Sequence, residues 1–254
     1  MNFVERLYPE TAAGGFARSH PRMELFVRIR SLLPPGAAVL DFGAGRGKFA
    51  EIDPPSLRVH TDLKPYVDRF AAFDVDEAVL ENIETDDRHY APIGAPLPFA
   101  DNSFDLVYST WVAEHIADAG FYSSEIARIL KPGGWFCSLT PNKNGPIALA
   151  ARMVPNHLHS AVLRHVVPSR QERDTFPTCY KLNTISDVGR HFPGWKNASY
   201  YFNGPAAYHG NKIALARLWQ AVDWVLPKSM AKVLAIFVQK PLAGAPGAGA
   251  PLSD

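Results

Sequence analysis

Residues 39–49 read Val-Leu-Asp-Phe-Gly-Ala-Gly-Arg-Gly-Lys-Phe, and this stretch decides the fold of the 254-residue chain. An apolar run typical of a buried strand leads into three glycines at alternate positions, and a helical stretch follows. Glycine lacks the Cβ atom that would keep a ligand away from the carboxyl end of the strand, where open α/β sheets bind their ligands. The stretch therefore predicts a strand, a ligand-binding loop and a helix.

Apolar runs alternate with helical stretches on either side of this loop. That alternation predicts an α/β fold with a doubly wound, mostly parallel, seven-stranded Rossmann-like sheet. A helix at Tyr122–Leu130 should end before Lys131-Pro132-Gly133-Gly134, which turns the chain into the next strand. The strands are predicted at Ala38–Phe42, Arg69–Asp74, Arg88–Ala91, Phe104–Ser109, Trp135–Thr140, Trp195–Phe202 and Lys232–Gln239.

Residues 1–241 have the length and apolar content of one elaborated domain. Residues 1–36 form a helical lead-in, closed by Pro34-Pro35-Gly36. The alternation fails over residues 143–183, whose apolar content predicts an ordered helical cap insertion. Residues 242–254, rich in Ala, Gly and Pro, cannot build a core and are predicted to be a disordered tail.

The composition excludes several functional classes. The net charge of +1 provides no overall field for nucleic acid, so no nucleic-acid partner is expected. The two cysteines, Cys137 and Cys179, have no metal-like spacing and suit a reducing compartment. No segment approaches the roughly 20 apolar residues of a membrane span, and the N-terminus lacks the pattern of a secretory signal. The cytoplasm is therefore the expected location.

The spacing in the glycine loop indicates which ligand it holds. The dinucleotide fingerprint is G-x-G-x-x-G, whereas this loop is G-x-G-x-G with Lys48 at the sixth position. Asp41 precedes the loop, and its carboxylate would repel a pyrophosphate but would attract a ligand with an ammonium and a sulfonium group. A nicotinamide oxidoreductase is the disfavoured alternative at this point.

The loop resembles the first motif of class I S-adenosylmethionine (SAM)-dependent methyltransferases. Residues 97–107 (LPFADNSFDLV) resemble the strand-four signature of their type-11-like small-molecule branch. Residues 111–116 (WVAEHI) and 125–142 (EIARILKPGGWFCSLTPN) continue the resemblance. It runs in order over about residues 37–142, and the last two strands extend it to about residue 240. The resemblance implies an enzyme that uses SAM as its methyl donor.

The ribose of such a cofactor needs an acidic residue at the end of the second strand. Asp62 has the usual spacing after the glycine loop, but Asp74 ends an apolar run and precedes the acidic first turn of a helix. Asp74 is favoured, with residues 53–67 as an insertion, and Asp62 remains the alternative. Where the family often has an acidic residue for adenine, this chain has Ile93-Gly94, which suggests backbone contacts. The predicted cofactor-binding residues are Asp41, Gly43, Ala44, Gly45, Asp74, Ile93, Gly94 and Ser109.

The group that assists methyl transfer is expected beyond strand four. His115 is the candidate general base, because imidazole alone among the side chains there changes charge near neutral pH; the alternative is a packing or capping role. Glu114-His115 is similar to the E-x-x-E-H metal site of ubiquinone-pathway O-methyltransferases. The first carboxylate of that pattern would fall at Trp111, so no metal is predicted.

The acceptor is predicted only as a class: a small molecule, or a lipid- or glycan-linked compound, methylated on a hydroxyl. Residues 143–173 carry five Lys or Arg against Glu172, which suits an anionic acceptor or a solvated helix face equally. Residues 211–226 have the apolar spacing of a helix whose face joins the core, with a membrane contact through Trp219 and Trp224 as the alternative. The competing function is a SAM-binding but catalytically degenerate interaction module. The oligomeric state is not predicted.

Overall fold

The computed structural model describes residues 3–47, 55–146, 148–149, 177–206 and 210–244. Their strands are β1 Ala37–Phe42, β2 Val67–Asp74, β3 Asp87–Tyr90, β4 Phe104–Thr110, β5 Leu130–Pro141, β6 Lys196–Asn197, β7 Tyr200–Phe202 and β8 Val233–Gln239. The α-helices are α1 Phe3–Leu7, α2 Pro21–Leu32, α3 Pro55–Thr61, α4 Ala119–Ile129, α5 Ile185–His191 and α6 Ile213–Val225. Short 3₁₀ helices lie at Pro9–Ala12, Lys64–Tyr66, Glu77–Glu81, Ala113–His115 and Lys228–Met230.

The strands form one sheet in the order β3-β2-β1-β4-β5-β8-β6, and β7 also pairs with β8. β1 to β5 are parallel, whereas β8 runs antiparallel to β5. The predicted α/β fold with a mostly parallel sheet is confirmed. The sheet has eight strands because the predicted strand Trp195–Phe202 is broken in two, which corrects that prediction. Asn197 accepts a hydrogen bond from the Ser199 backbone through its side chain, a local turn that interrupts the pairing.

Both faces of the sheet carry apolar layers, as a doubly wound fold requires. Along β1, Leu40 and Phe42 belong to one layer and Val39 to the other, since successive side chains of a strand point to opposite faces. α4 packs on the first layer through Ile126, and α2 packs on the second through Ile29. These two helices hold the centre of the sheet rigid beneath its carboxyl edge.

The second strand ends at Asp74, where the sequence analysis favoured it. Residues 55–66 before it are α3 and a 3₁₀ turn, and α3 packs on α2. The structure corrects the end of the range interpreted as an insertion, residues 53–67, because Val67 already belongs to β2; the insertion itself stays a prediction.

Several element boundaries differ from the predictions. α4 begins at Ala119 because Asp118 caps it through the Phe121 backbone N–H, 2.9 Å away. Leu130 starts β5 rather than ending the helix. The lead-in is helical as predicted, with α1, a 3₁₀ turn and α2.

α6 corrects the expectation that residues 211–226 bury an apolar face. Ala216 is its one buried residue, whereas Leu218, Trp224 and Val225 are 58%, 88% and 74% exposed. Most of the predicted cap 143–183 and of the tail 242–254 lies outside the described residues. No helix in the described ranges is long and apolar enough to cross a membrane.

Candidate functional site

The carboxyl ends of β1, β2, β3 and β4 meet at one edge of the sheet, because these strands are parallel neighbours. Asp41 lies next to last in β1, and Asp74 is the last residue of β2. The loop with Ile93 and Gly94 follows β3, and the turn with His115 follows β4. This arrangement brings the predicted binding and catalytic segments to a single edge.

The glycine loop is fastened to the end of β2. The backbone N–H groups of Gly43 and Ala44 donate to the Phe73 carbonyl at 2.8 and 3.0 Å. The Gly45 N–H donates to Oδ2 of Asp74 at 2.8 Å. The predicted loop and the favoured acidic residue are therefore in direct contact.

Gly43 and Gly45 serve different purposes, although both have positive φ, at +81° and +50°. A Cβ atom on Gly43 would lie 2.3 Å from Cγ2 of Val112, so this glycine permits the turn after β4 to pack on the loop. A Cβ atom on Gly45 would meet only Asp74 Oδ2, at 3.9 Å, among the described atoms. The space above Gly45 is therefore open to a ligand.

Asp74 and Asp62 occupy different surroundings. Asp74 accepts from the backbone of Gly45 and, at 3.0 Å, of Asp76, and burial raises the pKa of its carboxyl above the ordinary value. Asp62 accepts from the Lys64 N–H at 3.0 Å in the loop before β2. Of the two, only Asp74 lies against the glycine loop; which carboxylate holds a ribose stays a prediction.

The backbone at the tip of the loop after β3, residues 93 and 94, is not covered by other described residues. Ile93 is 76% exposed, and a Cβ atom on Gly94 would meet none of the described atoms within 4 Å. The Gly94 N–H donates to the Tyr122 hydroxyl at 3.3 Å, and Tyr122 packs edge-on against Phe42 of β1. The tip is thus tied to the strand that carries the glycine loop.

An ion pair on α4 holds the rest of this loop. Glu125 accepts from the Leu97 N–H at 2.7 Å and from Arg128 at 2.7 Å. Arg128 also donates to the carbonyls of Leu97 and Phe99 at 2.9 and 2.7 Å. The hydrogen bonds to Glu125 raise the pKa of Arg128 above the ordinary value. The sequence analysis assigned this pair no role, although Glu and Arg three residues apart on a helix are a recognisable pairing signal.

Asp41 is a buried carboxylate, 8% exposed, whose Oδ1 has no hydrogen-bond partner among the described residues. Its pKa is raised to about 8, first by burial and then by the negative charge of Glu84. The Tyr108 hydroxyl, which is hydrogen-bonded to Asp41, and the charge of Arg22 act in the opposite direction. A cationic ligand group would compensate this buried negative charge.

A cavity of about 580 Å³ adjoins Asp41 on the side of α2 and α3. Asp41 and the alternative ribose residue Asp62 both line it, whereas Asp74 does not; Arg22, Glu84, Tyr108 and Thr110 line it as well. Tyr108 faces the same way as Asp41 because the two are paired in register between β4 and β1. Glu84 arrives from the loop after β2, and no spacing in the sequence could have linked it to Asp41.

Ser109 lies beneath the edge of the sheet rather than on it. It is 1% exposed, and its hydroxyl donates to the Ser138 hydroxyl of β5 at 2.7 Å. Its predicted contact with a cofactor stays a prediction, and the side chain is already engaged within the sheet.

The turn after β4 begins with an unusual backbone. Trp111 has a φ of +60°, the left-handed region that residues with a Cβ rarely adopt, and such strain is concentrated at functional sites. The change of direction brings Val112 over Gly43 and starts the 3₁₀ helix Ala113–His115. His115 is thereby held next to the glycine loop.

Hydrogen bonds fix the orientation of this turn. His115 Nδ1 lies 3.0 Å from the Pro177 carbonyl, which can only accept, so Nδ1 donates this hydrogen bond. His115 Nε2 lies 3.9 Å from Oε1 of Glu114. Glu114 is buried, and its Oε2 accepts from the Thr140 hydroxyl at 2.9 Å. Within the described ranges, no group of three or more His, Cys, Asp or Glu could hold a metal ion, and the absence of a metal stays a prediction.

Comparisons with known proteins support this arrangement of motifs. Residues 40–138 match the family model described as a methyltransferase domain. The chain is 32% identical over 116 residues to 2-methyl-6-phytyl-1,4-hydroquinone methyltransferase of Synechocystis sp.. The matched segment covers 40% of this chain and 31% of that protein. It is also 34% identical over 113 residues to a probable S-adenosylmethionine-dependent methyltransferase of Mycolicibacterium smegmatis. That match covers 42% of this chain and 39% of the relative. The chain thus spans less than half the length of these relatives.

A solved structure extends the likeness of fold beyond this segment. The structure of geranyl diphosphate methyltransferase in complex with SAM has a TM-score of 0.51 and 10% sequence identity, and the match covers 86% of this chain and 84% of that one. At this identity the likeness concerns the fold. Residues 40–138 thus match a methyltransferase domain, and the chain around them has the fold of a SAM-dependent methyltransferase.

Proposed function

We propose that this chain transfers a methyl group from SAM to a hydroxyl of a small-molecule, lipid-linked or glycan-linked acceptor. The observation that carries the proposal is the buried carboxylate of Asp41, whose Oδ1 has no partner among the described residues, in the strand that leads into the glycine loop. SAM supplies an electrophilic methyl group on a sulfonium and carries an ammonium group at its amino acid end. A buried negative charge next to an open cradle suits such a cation.

The residues at the edge fit the parts of this cofactor. In the proposal, the backbone of Gly43, Ala44 and Gly45 borders the amino acid end, and Asp41 compensates the ammonium charge. Asp74 accepts hydrogen bonds from the ribose hydroxyls, since a carboxylate with two oxygens can serve two neighbouring donors. The exposed tip at Ile93 and Gly94 borders the adenine through backbone groups.

The same charges disfavour a dinucleotide at this edge. Glu84 and Asp74 are close enough to Asp41 for their negative charges to raise its pKa. A pyrophosphate would add negative charge to this acidic cluster, whereas a sulfonium and an ammonium offset it. The electrostatics therefore support SAM over a nicotinamide dinucleotide.

His115 is the proposed general base. Its Nδ1 donates to the Pro177 carbonyl, so the neutral ring presents Nε2 as the nitrogen that can accept the proton of an acceptor hydroxyl. The strained turn at Trp111 and the contact of Val112 with Gly43 hold this ring beside the cofactor loop. The rest of the edge aligns the two reactants and excludes water.

The acceptor class is supported by one relative. The matched Synechocystis protein is named for a hydroquinone that bears a phytyl chain, which combines ring hydroxyls with a hydrocarbon tail. A lipid-linked hydroxyl compound is therefore the acceptor class to test first.

The test compares wild-type protein with His115→Ala, and with His191→Ala on α5 as the control. Extracts incubated with methyl-labelled SAM provide the acceptors, and mass spectrometry detects the labelled product. We expect His115→Ala to keep its SAM affinity and to lower turnover by about 10²–10⁴-fold, the usual contribution of a general base.

Two outcomes would count against the proposal. Binding of SAM without any labelled product would favour a catalytically degenerate binding module. Reduced thermal stability of His115→Ala with unchanged turnover would make His115 a packing residue, and catalysis would then rest on alignment alone.

A further inference from the structure

α6 presents an outward face that is almost wholly apolar. Six exposed residues share it, within about 120° of the helical wheel at 100° per residue: Ala214, Arg217, Leu218, Ala221, Trp224 and Val225. We call this set the α6 outer face. Trp224 is 88% exposed, Val225 74% and Leu218 58%. Such a cluster on a helix surface is a mark of an interaction site.

The opposite side of α6 explains why the helix forms without burying this face. Ala216 is fully buried in a small cluster with Leu7 of α1, and Ile213 and Trp219 pack against that cluster. The helix is therefore secured through its inner side, and the outer face contributes nothing to the small cluster.

The α6 outer face lies near the catalytic edge of the sheet. β8 is antiparallel to β5, with Val233 opposite Pro141, so β8 starts at the edge where the parallel strands end. Lys232, just before β8, forms an ion pair of 2.6 Å with Asp223 of α6, and both side chains are buried or nearly so. This ion pair fixes the last turns of α6 to the start of β8, at the carboxyl edge of the sheet.

The charged residues within this face and at the two ends of α6 are basic. Lys212 precedes the helix, Arg217 lies within the face, and Lys228 follows the helix; all three are exposed. The one acidic residue of residues 210–231 is Asp223, whose charge Lys232 offsets. An apolar helix face with an exposed tryptophan and a basic border is complementary to a bilayer with anionic lipids.

We propose that the α6 outer face docks on an anionic lipid bilayer and presents the catalytic edge to acceptors held in that membrane. This role rests on the proposed function only for the identity of the acceptor. The docking itself requires neither SAM nor methyl transfer, so the two proposals can fail separately.

The test measures sedimentation of the full chain with phosphatidylcholine vesicles, with and without phosphatidylglycerol. Trp224→Ser/Val225→Ser removes the apolar contact, and Val27→Ser on α2 is the control, since Val27 is also an exposed helical valine, at 54%. Lys212→Gln and Lys228→Gln test the charge contribution. Thermal unfolding, measured for every variant, reports on an intact fold independently of SAM.

We expect the wild type to sediment with the anionic vesicles and Trp224→Ser/Val225→Ser to bind at least tenfold more weakly, with Val27→Ser unchanged. Each lysine substitution should weaken binding by about fivefold, the effect of one basic residue near an anionic surface. Equal binding by the wild type and the double variant would overturn the proposal, as would no vesicle binding by the wild type. A dimer in solution that the double variant disrupts, without vesicle binding, would assign the face to a second copy instead.

Discussion

Asp41 shows, at the scale of a single residue, how the site combines instability with ligand recognition. Its carboxyl is buried beside Glu84, and its pKa is raised to about 8 from an ordinary value of 3.8. A carboxyl whose pKa is raised on folding destabilises the native state wherever it must ionise. Strain of this kind is retained at sites where a ligand offsets it.

This gives a prediction for Asp41→Asn in the absence of cofactor. Below the ordinary pKa of 3.8 the carboxyl is protonated in both folded and unfolded chains, so the substitution should change the melting temperature least at the acid end of the range, near pH 3. As pH rises toward 8 the folded state resists ionisation while the unfolded chain does not, so the wild type loses stability relative to the variant. Thermal unfolding should therefore show Asp41→Asn to be more stable at pH 8, with the exposed Asp86→Asn as control.

No stabilisation of Asp41→Asn at pH 8 would mean that Asp41 is already compensated within the protein. The argument for a cationic ligand at this position would then lose its main support.

The sequence predicted the identity and place of Asp41, Gly45 and Asp74 because they follow apolar runs that are recognisable as strands. It could not predict Glu84, which reaches Asp41 from a separate loop, since such proximity arises only from packing. The partner of His115 was equally hidden, because Pro177 lies beyond the long segment after β5 and contacts the ring through a backbone carbonyl.

At the scale of elements, the loop after β1 and the turn after β4 fit into each other. Val112 occupies the space that a side chain at position 43 would need, and the left-handed backbone of Trp111 sets the direction of the turn. The shape of the glycine loop therefore depends on the segment that carries His115.

Gly43→Ala and Gly45→Ala form a matched pair that tests this fit. Both glycines have positive φ, so both substitutions introduce a similar backbone strain. Only the first also forces a methyl group to 2.3 Å from Val112, an overpacking that typically costs about 1–3 kcal/mol. We expect urea unfolding to show Gly43→Ala as the less stable of the two by about that amount.

Val112→Ala should recover part of the loss in Gly43→Ala, because it removes the methyl groups that clash. Equal stability of the two alanine variants would show that the loop and the turn do not constrain each other.

Patterns along the chain predicted elements better than their contacts. The helical spacing of residues 211–226 did give a helix, but periodicity does not state what covers an apolar face, and α6 leaves Trp224 exposed. Likewise, the apolar run Trp195–Phe202 gave strand structure, yet the side chain of Asn197 divides it. Glu125 and Arg128 belong to a motif that the sequence shows. Their hydrogen bonds to the backbone of Leu97 could be identified only from the structure.

At the scale of the whole molecule, the parallel strands gather the distant motifs at one edge. Asp41, Asp74, Gly94 and His115 come from four different connections, and the antiparallel β8 brings α6 to the same edge. We propose that SAM binds there, between the glycine loop and the end of β2.

Calorimetric titration of SAM into the wild type, Asp74→Ala and Asp62→Ala tests that claim most directly. Asp74 touches the glycine loop, whereas Asp62 lies in the loop before β2. We predict binding by the wild type, a loss of about 1–3 kcal/mol in Asp74→Ala from the missing charged hydrogen bonds, and near wild-type affinity in Asp62→Ala. A wild type that does not bind SAM, or a larger loss in Asp62→Ala than in Asp74→Ala, would contradict the account.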